Sequence, residues 1–271
     1  MSIETDVRQE NGRPLTRGLE LVYVPLFVGI EVLGLAHPLA AGICHAGMVL
    51  ALLNHYVAAE QRDRSEPLLA ALAVCSLYRL LALTPLPTNV FTNHLVLVGA
   101  PALLATVLAL RLTGTPATLQ RTTRRPSVGL QFWIALTGAP LSLVAYKLLK
   151  PSFVVRYSGP GHASTAEVVG VVAALVVFSG IGEELLFRVL LHGAARRSFG
   201  SSALYLSSAV FGASYLGTRS APFVAFAVAV GAFFGWCFER TESVVGVAAA
   251  HSLISVGVFV VWPTLARRLH L

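Results

Sequence analysis

The sequence predicts an all-α fold, a polytopic transmembrane helical bundle of eight or nine spans. Hydrophobic residues make up 55% of the 271 positions and charged residues only 12%, whereas a soluble domain carries about 25% charged residues. The mean hydropathy of +0.72 also indicates a membrane protein. In addition, the apolar residues are concentrated in runs close to the roughly 20 residues that cross a bilayer as a helix.

These apolar runs set the predicted organisation of the chain. They fall at 19–36, 39–59, 67–83, 90–110, 128–149, 165–191, 201–216, 221–238 and 243–262. The third and the seventh runs are short, so each is a span, a re-entrant segment or a continuation of its neighbour, which leaves eight or nine spans. The predicted parts are a polar cytoplasmic tail (1–18), N-terminal transmembrane helices (19–149) and a C-terminal core (150–271).

The distribution of basic residues predicts the orientation in the membrane. Arginine is concentrated in the tail before residue 19 and in the loop at 111–127. Because cytoplasmic loops carry an excess of Lys and Arg, we expect a multi-pass plasma-membrane protein with a cytoplasmic N-terminus. Arg267 and Arg268 at the C-terminus fit eight spans better than nine. These loops explain the net charge of +7, so the expected partner is the bilayer and not nucleic acid.

The ionisable residues of the N-terminal half are isolated in the sequence. Glu31, His45, His55, Arg79 and His94 are expected near helix ends or hydrogen-bonded inside the bundle. Arg79 has a further option, because a long basic side chain can reach the membrane interface from an apolar segment. None of these residues has the spacing of a metal site. The three cysteines lie far apart in apolar runs, which argues against a disulfide framework or a cysteine-based zinc site.

The C-terminal core is organised around residues 182–188, GEELLFR, which place three charges in an otherwise apolar run. An ionisable side chain in hydrocarbon is costly, so it is rare there and usually functional. Glu184 and Arg188 are four residues apart and are expected to pair along one helix. Glu183 is rotated by about 100° from Glu184 and has no such partner. We therefore expect Glu183 to have another role.

Helix boundaries and close-packing signals surround this motif. Ser164-x-x-Glu167 predicts a capping box at the start of the helix. Gly180 and Gly182 predict the close approach of a neighbouring helix, and a Gly-x-x-x-Gly motif at 231–235 predicts another close contact.

Two later helices each carry a pair of residues at a spacing of four that includes polar side chains. Phe211 and Tyr215 share one helix face, and His251 and Ser255 share another. Helices in lipid satisfy their polar groups against one another. These faces and Glu183 are therefore expected to converge on one polar site.

The three motifs together resemble the signature of the CPBP family, the CAAX-processing and bacteriocin-processing proteases, also called Abi or type II CAAX prenyl endopeptidases. That family carries Glu-Glu-x-x-x-Arg, Phe-x-x-x-His and His-x-x-x-Asn/Asp on successive helices of an eight-helix intramembrane protease. The resemblance covers roughly residues 164–262. It departs at Tyr215, where the family has histidine, and at Ser255, where it has Asn or Asp.

The resemblance implies an intramembrane endopeptidase of the metallo or glutamic type and a role for each residue of the first motif. Glu183 would act as the general base that activates the hydrolytic water. Glu184 and Arg188 would form the scaffold that supports it.

The second and third motifs are implied to complete the site. His251 would donate a hydrogen bond to the tetrahedral intermediate, and Ser255 can also donate one. Tyr215 would stand where the family has a second group that polarises the water. At neutral pH a tyrosine donates a hydrogen bond, whereas a histidine can also accept a proton.

The implied substrate is a membrane-embedded or lipidated protein or peptide, cut near the cytoplasmic face. The favoured mechanism requires no cofactor. Zinc is the alternative, with Glu183 and His251 as ligands. Since a neutral phenol at position 215 is a poor ligand, this would be a weak zinc site compared with histidine-rich ones.

Two other functions are also consistent with the sequence. The departures at Tyr215 and Ser255 are also consistent with a catalytically weakened relative that binds a membrane segment or partner without cutting it. A proton-linked transporter would use Glu183, Arg188 and His251 as a relay, but the inverted repeats that would support it are not apparent in the sequence.

Overall fold

The computed structural model describes residues 17–60, 67–85, 91–114, 127–149 and 164–268. Every regular element within these ranges is helical and none is a strand, which confirms the predicted all-α fold. A helix satisfies its own backbone hydrogen bonds, as an apolar segment in lipid requires. The predicted polar tail lies almost entirely outside the described residues.

The helices follow the predicted apolar runs closely. In chain order they are α1 (Arg17–Ala36), α2 (Pro38–Glu60), α3 (Pro67–Leu83), α4 (Phe91–Leu112), α5 (Val128–Leu136), α6 (Gly138–Leu148), α7 (Thr165–Ala174), α8 (Gly193–Phe199), α9 (Ala203–Ala213), α10 (Ala221–Thr241), α11 (Val245–Val256) and α12 (Trp262–Arg268). Between them lie three π-helical segments, π1 (Leu175–Gly182), π2 (Leu185–His192) and π3 (Gly257–Val261).

Within the described residues, six helical stretches are long and apolar enough to cross a membrane, judged by length and composition. They are Pro38–Ala59, Phe91–Leu112, Val128–Leu148, Thr165–Thr218, Ala221–Thr241 and Val245–Ala266. Two shorter apolar helices are Val22–Ala36 and Pro67–Leu83. The stretch Thr165–Thr218 has 54 residues, but it is bent at Gly200, where φ is +58°, and α9 packs back against π2. An integral membrane protein is supported, whereas the predicted count of eight or nine spans is not confirmed.

The helix that carries the central motif begins as predicted. Ser164 Oγ accepts a hydrogen bond from the Glu167 backbone N–H at 3.3 Å, and the Glu167 carboxylate accepts one from the Ser164 backbone N–H at 2.6 Å. This is the predicted capping box. Further along, Glu183 and Glu184 lie between π1 and π2. π-helical turns are rare and often occur at functional sites.

Buried ionisable residues join the first three helices. Arg79 of α3 donates from Nε and Nη2 to the two carboxylate oxygens of Glu31 in α1, at 2.5 and 2.9 Å. Nε2 of His45 in α2 lies 3.1 Å from Glu31 Oε1. The expectation that these three residues hydrogen-bond inside the bundle is confirmed. The other option for Arg79, reaching the interface, is wrong, because its side chain is buried against Glu31.

Two apolar clusters form the core. One joins α1 to α4 with π2, α8 and α9, the other joins α5, α6 and α11, and α10 contributes to both. Helix α11 is central to the C-terminal half, because α5, α6 and π1 all pack on it. The third motif lies on α11 and is therefore held on a helix that is surrounded by others. Tyr215 of the second motif contacts both clusters.

Glycines allow the closest of these helix contacts. A Cβ on Gly180 would overlap the side chain of Ser252 in α11, so π1 and α11 approach each other closely there. A Cβ on either glycine of the 231–235 motif would meet α9 side chains, at 3.1 and 2.7 Å. Both predictions of close packing are confirmed. The same prediction for Gly182 is wrong, because its Cβ would meet only a carbonyl oxygen of its own helix.

Candidate active site

One cavity in the C-terminal half brings together side chains of all three motifs. It has a volume of about 230 Å³ and lies among α3, α4, π1, α9, α10 and α11. The motif residues that line it are Glu183, Phe211, Tyr215, His251 and Ser255. Glu184 and Arg188 are buried behind this wall and do not line the cavity. The three helix faces thus converge as expected. Their motif residues form two groups, those that line the cavity and those that are buried behind its wall.

Glu183 accepts hydrogen bonds from two phenols, one on each carboxylate oxygen. Tyr215 donates its hydroxyl to Oε2 at 2.8 Å. Tyr78 of α3 donates its hydroxyl to Oε1 at 3.1 Å. The Glu183 side chain is 10% exposed. A carboxylate has about four acceptor sites, so Glu183 keeps the capacity to accept a further hydrogen bond from the cavity.

Tyr215 is fixed by aromatic rings on two sides. Its ring makes edge contacts with Phe211 of α9 and with Phe223 near the start of α10, at centroid distances of 5.2 and 5.7 Å. Such contacts favour one ring orientation. Tyr215 therefore serves both as a packing aromatic and as a donor to Glu183.

Glu184 forms a buried ion pair along its own helix, as the four-residue spacing predicts. Arg188 Nε lies 2.9 Å from Glu184 Oε2, and both side chains are 0% exposed. The guanidinium carbon of Arg188 also lies 4.8 Å from the centre of the Phe211 ring. Glu184 has a second partner in His251, whose Nδ1 lies 2.8 Å from Glu184 Oε1. Glu184 does not line the cavity itself, but it contacts His251, which does.

His251 lies between the two glutamates. Because the arginine-paired carboxylate of Glu184 only accepts hydrogen bonds, its contact with His251 assigns a proton to Nδ1. The other ring nitrogen, Nε2, lies 3.9 Å from Glu183 Oε2. This distance is too long for a direct hydrogen bond and suits one bridging water molecule. Nε2 and Oε2 therefore face a common point in the cavity.

Ser255 lies one turn after His251 on α11 and also faces the cavity. Its hydroxyl shares a hydrogen bond of 2.8 Å with the hydroxyl of Ser179 in π1, and either oxygen can be the donor. Two hydroxyl groups thus occupy the region where the family signature has an amide or a carboxyl group.

Four polar residues line the cavity without belonging to a motif, namely Tyr78, His94, Ser179 and Thr218. The sequence analysis treated His94 as an isolated residue of the bundle and did not single out the other three. A lone tyrosine or serine in an apolar helix has the appearance of ordinary packing. The one available signal for Tyr78 is its place directly before Arg79, an intramembrane charge.

The donor set does not suit a catalytic metal ion. Among the residues that the structure describes, no three His, Cys, Asp or Glu side chains are grouped as metal ligands. A catalytic zinc ion takes three protein ligands. Only Glu183 and His251 face the common point, and both oxygens of Glu183 already accept hydrogen bonds from phenols. The zinc alternative with these two residues therefore lacks a third ligand.

Comparison with known families identifies the segment that holds this site. Residues 165–257 match the family model described as Rce1-like, type II CAAX prenyl endopeptidase Rce1-like. This segment, residues 165–257, is similar to that family and is called the Rce1-like region below. The recognition of the CAAX-processing family from the three motifs is thereby confirmed over about a third of the chain. Comparisons with curated proteins and with solved structures gave no match.

The Rce1-like region supplies only part of the cavity wall. It begins with α7, ends at the first residue after α11 and contains all three motifs. Helices α3 and α4 lie outside it and also line the cavity. Tyr78, the second donor to Glu183, therefore comes from a part of the chain that the family match does not cover.

Proposed function

We propose that this chain is an intramembrane endopeptidase resembling the type II CAAX prenyl proteases. It hydrolyses a peptide bond of a membrane-embedded or lipidated protein with a water molecule activated by Glu183. The observation that carries the proposal is the place of Glu183, a buried carboxylate on the cavity wall with His251 Nε2 at 3.9 Å. The Rce1-like match over residues 165–257 supports a protease at the level of the family.

Glu183 provides the proton transfers of the proposed reaction. The water molecule lies between Glu183 Oε2 and His251 Nε2 and gives a proton to the carboxylate. Its oxygen then attacks the carbonyl carbon of the scissile bond, and the carbonyl oxygen becomes an oxyanion. The proton on Glu183 passes to the leaving amine nitrogen as the C–N bond breaks. General base and acid catalysis of this kind contributes about 10²–10⁴-fold in rate.

His251 and the two serine hydroxyls stabilise the oxyanion in this proposal. With Nδ1 directed at Glu184, the ring donates from Nε2 in its doubly protonated form. Glu183 and Glu184 provide the counter-charge before the reaction, and the oxyanion replaces the charge of Glu183 once this carboxylate has taken the proton. Ser255 and Ser179 face the same cavity and share a hydrogen bond, so one of the two hydroxyl groups is left with a proton to donate to the oxyanion. Donors held in place before the reaction stabilise developing charge without reorganisation.

The rest of the cavity suits an apolar substrate. Its lining includes the aromatic rings of Phe178, Phe223, Phe226 and Phe259. Apolar walls with a few converging polar groups are typical of small-ligand sites. A transmembrane segment or a lipid chain near the scissile bond would bury its apolar surface against these rings.

The experiment that tests the proposal measures cleavage of labelled lipidated and unlipidated membrane peptides by the purified protein in detergent. Glu183→Gln should lower kcat by about 10²–10⁴-fold while the thermal unfolding temperature stays close to that of the wild type. Glu167→Gln is the matched control, since this glutamate caps α7 away from the cavity. Cleavage should also persist with a chelator present. A Glu183→Gln protein that cuts at the wild-type rate would overturn the proposal.

A second candidate function is the binding of a membrane segment without cleavage. The observation in its favour is that phenols occupy both oxygens of Glu183 and no imidazole stands at position 215. If the protein only binds such segments, the wild type should bind the labelled peptides and release them uncut. Cleavage by the wild type that disappears in Glu183→Gln would exclude it.

A further inference from the structure

Two different parts of the chain hold the carboxylate of Glu183. Tyr215, within the Rce1-like region, binds Oε2, and Tyr78 of α3 binds Oε1. A carboxylate with one donor can still turn about its last side-chain bond. Donors on both oxygens limit that rotation, and a fixed orientation of the reacting group is itself a source of rate enhancement.

The position of Tyr78 is secured by a contact on another face of α3. Arg79 is the next residue, and successive residues of a helix diverge by about 100°. While Tyr78 faces Glu183, Arg79 forms a two-point contact with Glu31 of α1, which also contacts His45 of α2. Breaking a buried ion pair is strongly unfavourable. Helix α3 is therefore tied to α1 and α2 at the residue adjacent to the one that reaches the cavity.

We infer that Tyr78 is a positioning residue for Glu183, so that a helix outside the family region completes the active site. The inference rests on the proposed function for its effect on rate, but the hydrogen bond itself does not depend on that function. Tyr78 holds Oε1 and so aims Oε2 at the point that His251 Nε2 also faces. The N-terminal helix α3 thus contributes a residue to the active site.

Tyr78→Phe tests the kinetic consequence. The substitution removes one oxygen atom and keeps the ring that packs against the core. We expect kcat to fall by about 10- to 100-fold, because a hydrogen bond to a charged acceptor is lost, with KM unchanged. Tyr146→Phe is the matched control, since Tyr146 is a half-buried tyrosine of α6 that does not line the cavity. A Tyr78→Phe protein with the wild-type kcat, or with only KM altered, would overturn the inference.

Infrared difference spectroscopy tests the contact without any need for activity. The carboxylate bands of Glu183 are assigned by subtracting the spectrum of Glu183→Gln from that of the wild type. Tyr78→Phe should shift these bands, because one oxygen loses its donor, whereas Tyr146→Phe should leave them in place. An unshifted band in folded Tyr78→Phe protein would overturn the inference.

A reciprocal measurement covers the case in which Tyr78→Phe does not fold. In a Tyr215→Phe background, Glu183→Gln should still shift one tyrosine C–O band, which belongs to Tyr78. No shift would overturn the inference. If these bands move but the wild type cuts no peptide, the contact stands and the proposed function fails. If the wild type cuts peptides and no band moves, the function stands and the inference fails.

Discussion

Position 215 carries a phenol that contacts the proposed general base where the family signature has a histidine. The Tyr215 hydroxyl donates to Glu183 Oε2 at 2.8 Å, and the ring is fixed by Phe211 and Phe223. A phenol at neutral pH donates but does not take up a proton as histidine does. The proton of the attacking water must therefore go to Glu183, and Tyr215 serves to orient that carboxylate.

Substitutions at Tyr215 should separate the donation of a hydrogen bond to Glu183 from the acceptance of a proton from the water. Tyr215→Phe is expected to lower kcat by about 10- to 100-fold, because Glu183 loses a donor. Tyr215→His is expected to raise kcat above the wild-type value, because an imidazole can also accept a proton from the water. Both are measured by peptide cleavage in detergent. Wild-type activity in Tyr215→Phe would show that the phenol acts only in packing.

The pair behind the cavity wall should matter for stability. Arg188→Leu leaves the fully buried Glu184 carboxylate without its arginine, which should cost about 3–5 kcal/mol in the free energy of unfolding. Arg196→Leu is the control, because Arg196 pairs with Glu239 while 56% of its own side chain is exposed, and such pairs contribute about 0–1 kcal/mol. Unfolding in detergent measures both. Equal losses in the two variants would contradict the structural role of Arg188.

For individual residues, the sequence could predict the contacts made along one helix but not those made across the bundle. The Glu184–Arg188 pair follows from a spacing of four residues. The contact of Tyr78 with Glu183 joins residues that are 105 positions apart. Nothing in the local sequence of α3 indicates which of its faces meets Glu183. The motifs made convergence of Glu183, Tyr215 and His251 predictable, but their distances depend on packing.

Among the helices, the contact between π1 and α11 sets the geometry of the site. Gly180 in π1 lies against Ser252 in α11, directly after His251. Because there is no side chain at 180, the two helices are close enough for His251 to reach Glu184. The predicted small-residue contact is thus an element of the site.

Gly180→Ala should therefore disturb activity as well as stability. The added Cβ would overlap Ser252, so α11 must shift and His251 must shift with it. Overpacking of this kind costs about 1–3 kcal/mol, and we expect a clear loss of kcat. Gly170→Ala in α7 is the control, because nothing lies within 4 Å of its Cβ position. Unfolding and cleavage assays should show an effect in the first variant alone; an unaffected Gly180→Ala would contradict the close contact.

The helices themselves were predictable, but their local geometry was not. Long apolar runs predict where a helix lies because lipid leaves few other structures for the backbone. The change from α-helical to π-helical backbone at Leu175 could not be recognised from the sequence, because the run there is apolar on all sides. It depends on how π1 packs against α4 and α11.

For the molecule as a whole, the cavity extends toward one end of the bundle. Its lining includes Phe91 at the start of α4 and Phe223 near the start of α10. The far end of α10 lies beside α8, where Glu239 pairs with Arg196. If the arginine-rich end is cytoplasmic, the cavity extends toward the opposite face. That orientation differs from the expected cleavage near the cytoplasmic face.

Cysteine labelling should establish the orientation. In a variant with the three native cysteines replaced, Thr218→Cys and Ser243→Cys place a thiol just beyond either end of α10. A membrane-impermeant maleimide should label Thr218→Cys in intact cells, and Ser243→Cys only after permeabilisation. The reverse pattern would place the arginine-rich end outside the cell. The end of the bundle toward which the cavity extends would then be cytoplasmic.

Fold class and membrane character could be predicted for the whole molecule, because both follow from composition and from the length of the apolar runs. The number of spans could not. Thr165–Thr218 is one helical stretch of 54 residues with a bend at Gly200. Hydropathy reports how apolar a stretch is, and not where it turns back. The cavity walls from α3 and α4 depend on how distant helices meet.

The placement of Glu183 and Glu184 between π1 and π2 has a consequence for how this segment can evolve. The direction in which each glutamate points depends on the number of residues before it more than on their identity. Deleting one residue from π1 would turn every later side chain about the helix axis by the angle between successive residues and carry Glu183 off the cavity wall, with hydropathy almost unchanged. Descendants of this gene can therefore exchange one apolar codon for another here, but selection should remove the gain or loss of a single codon.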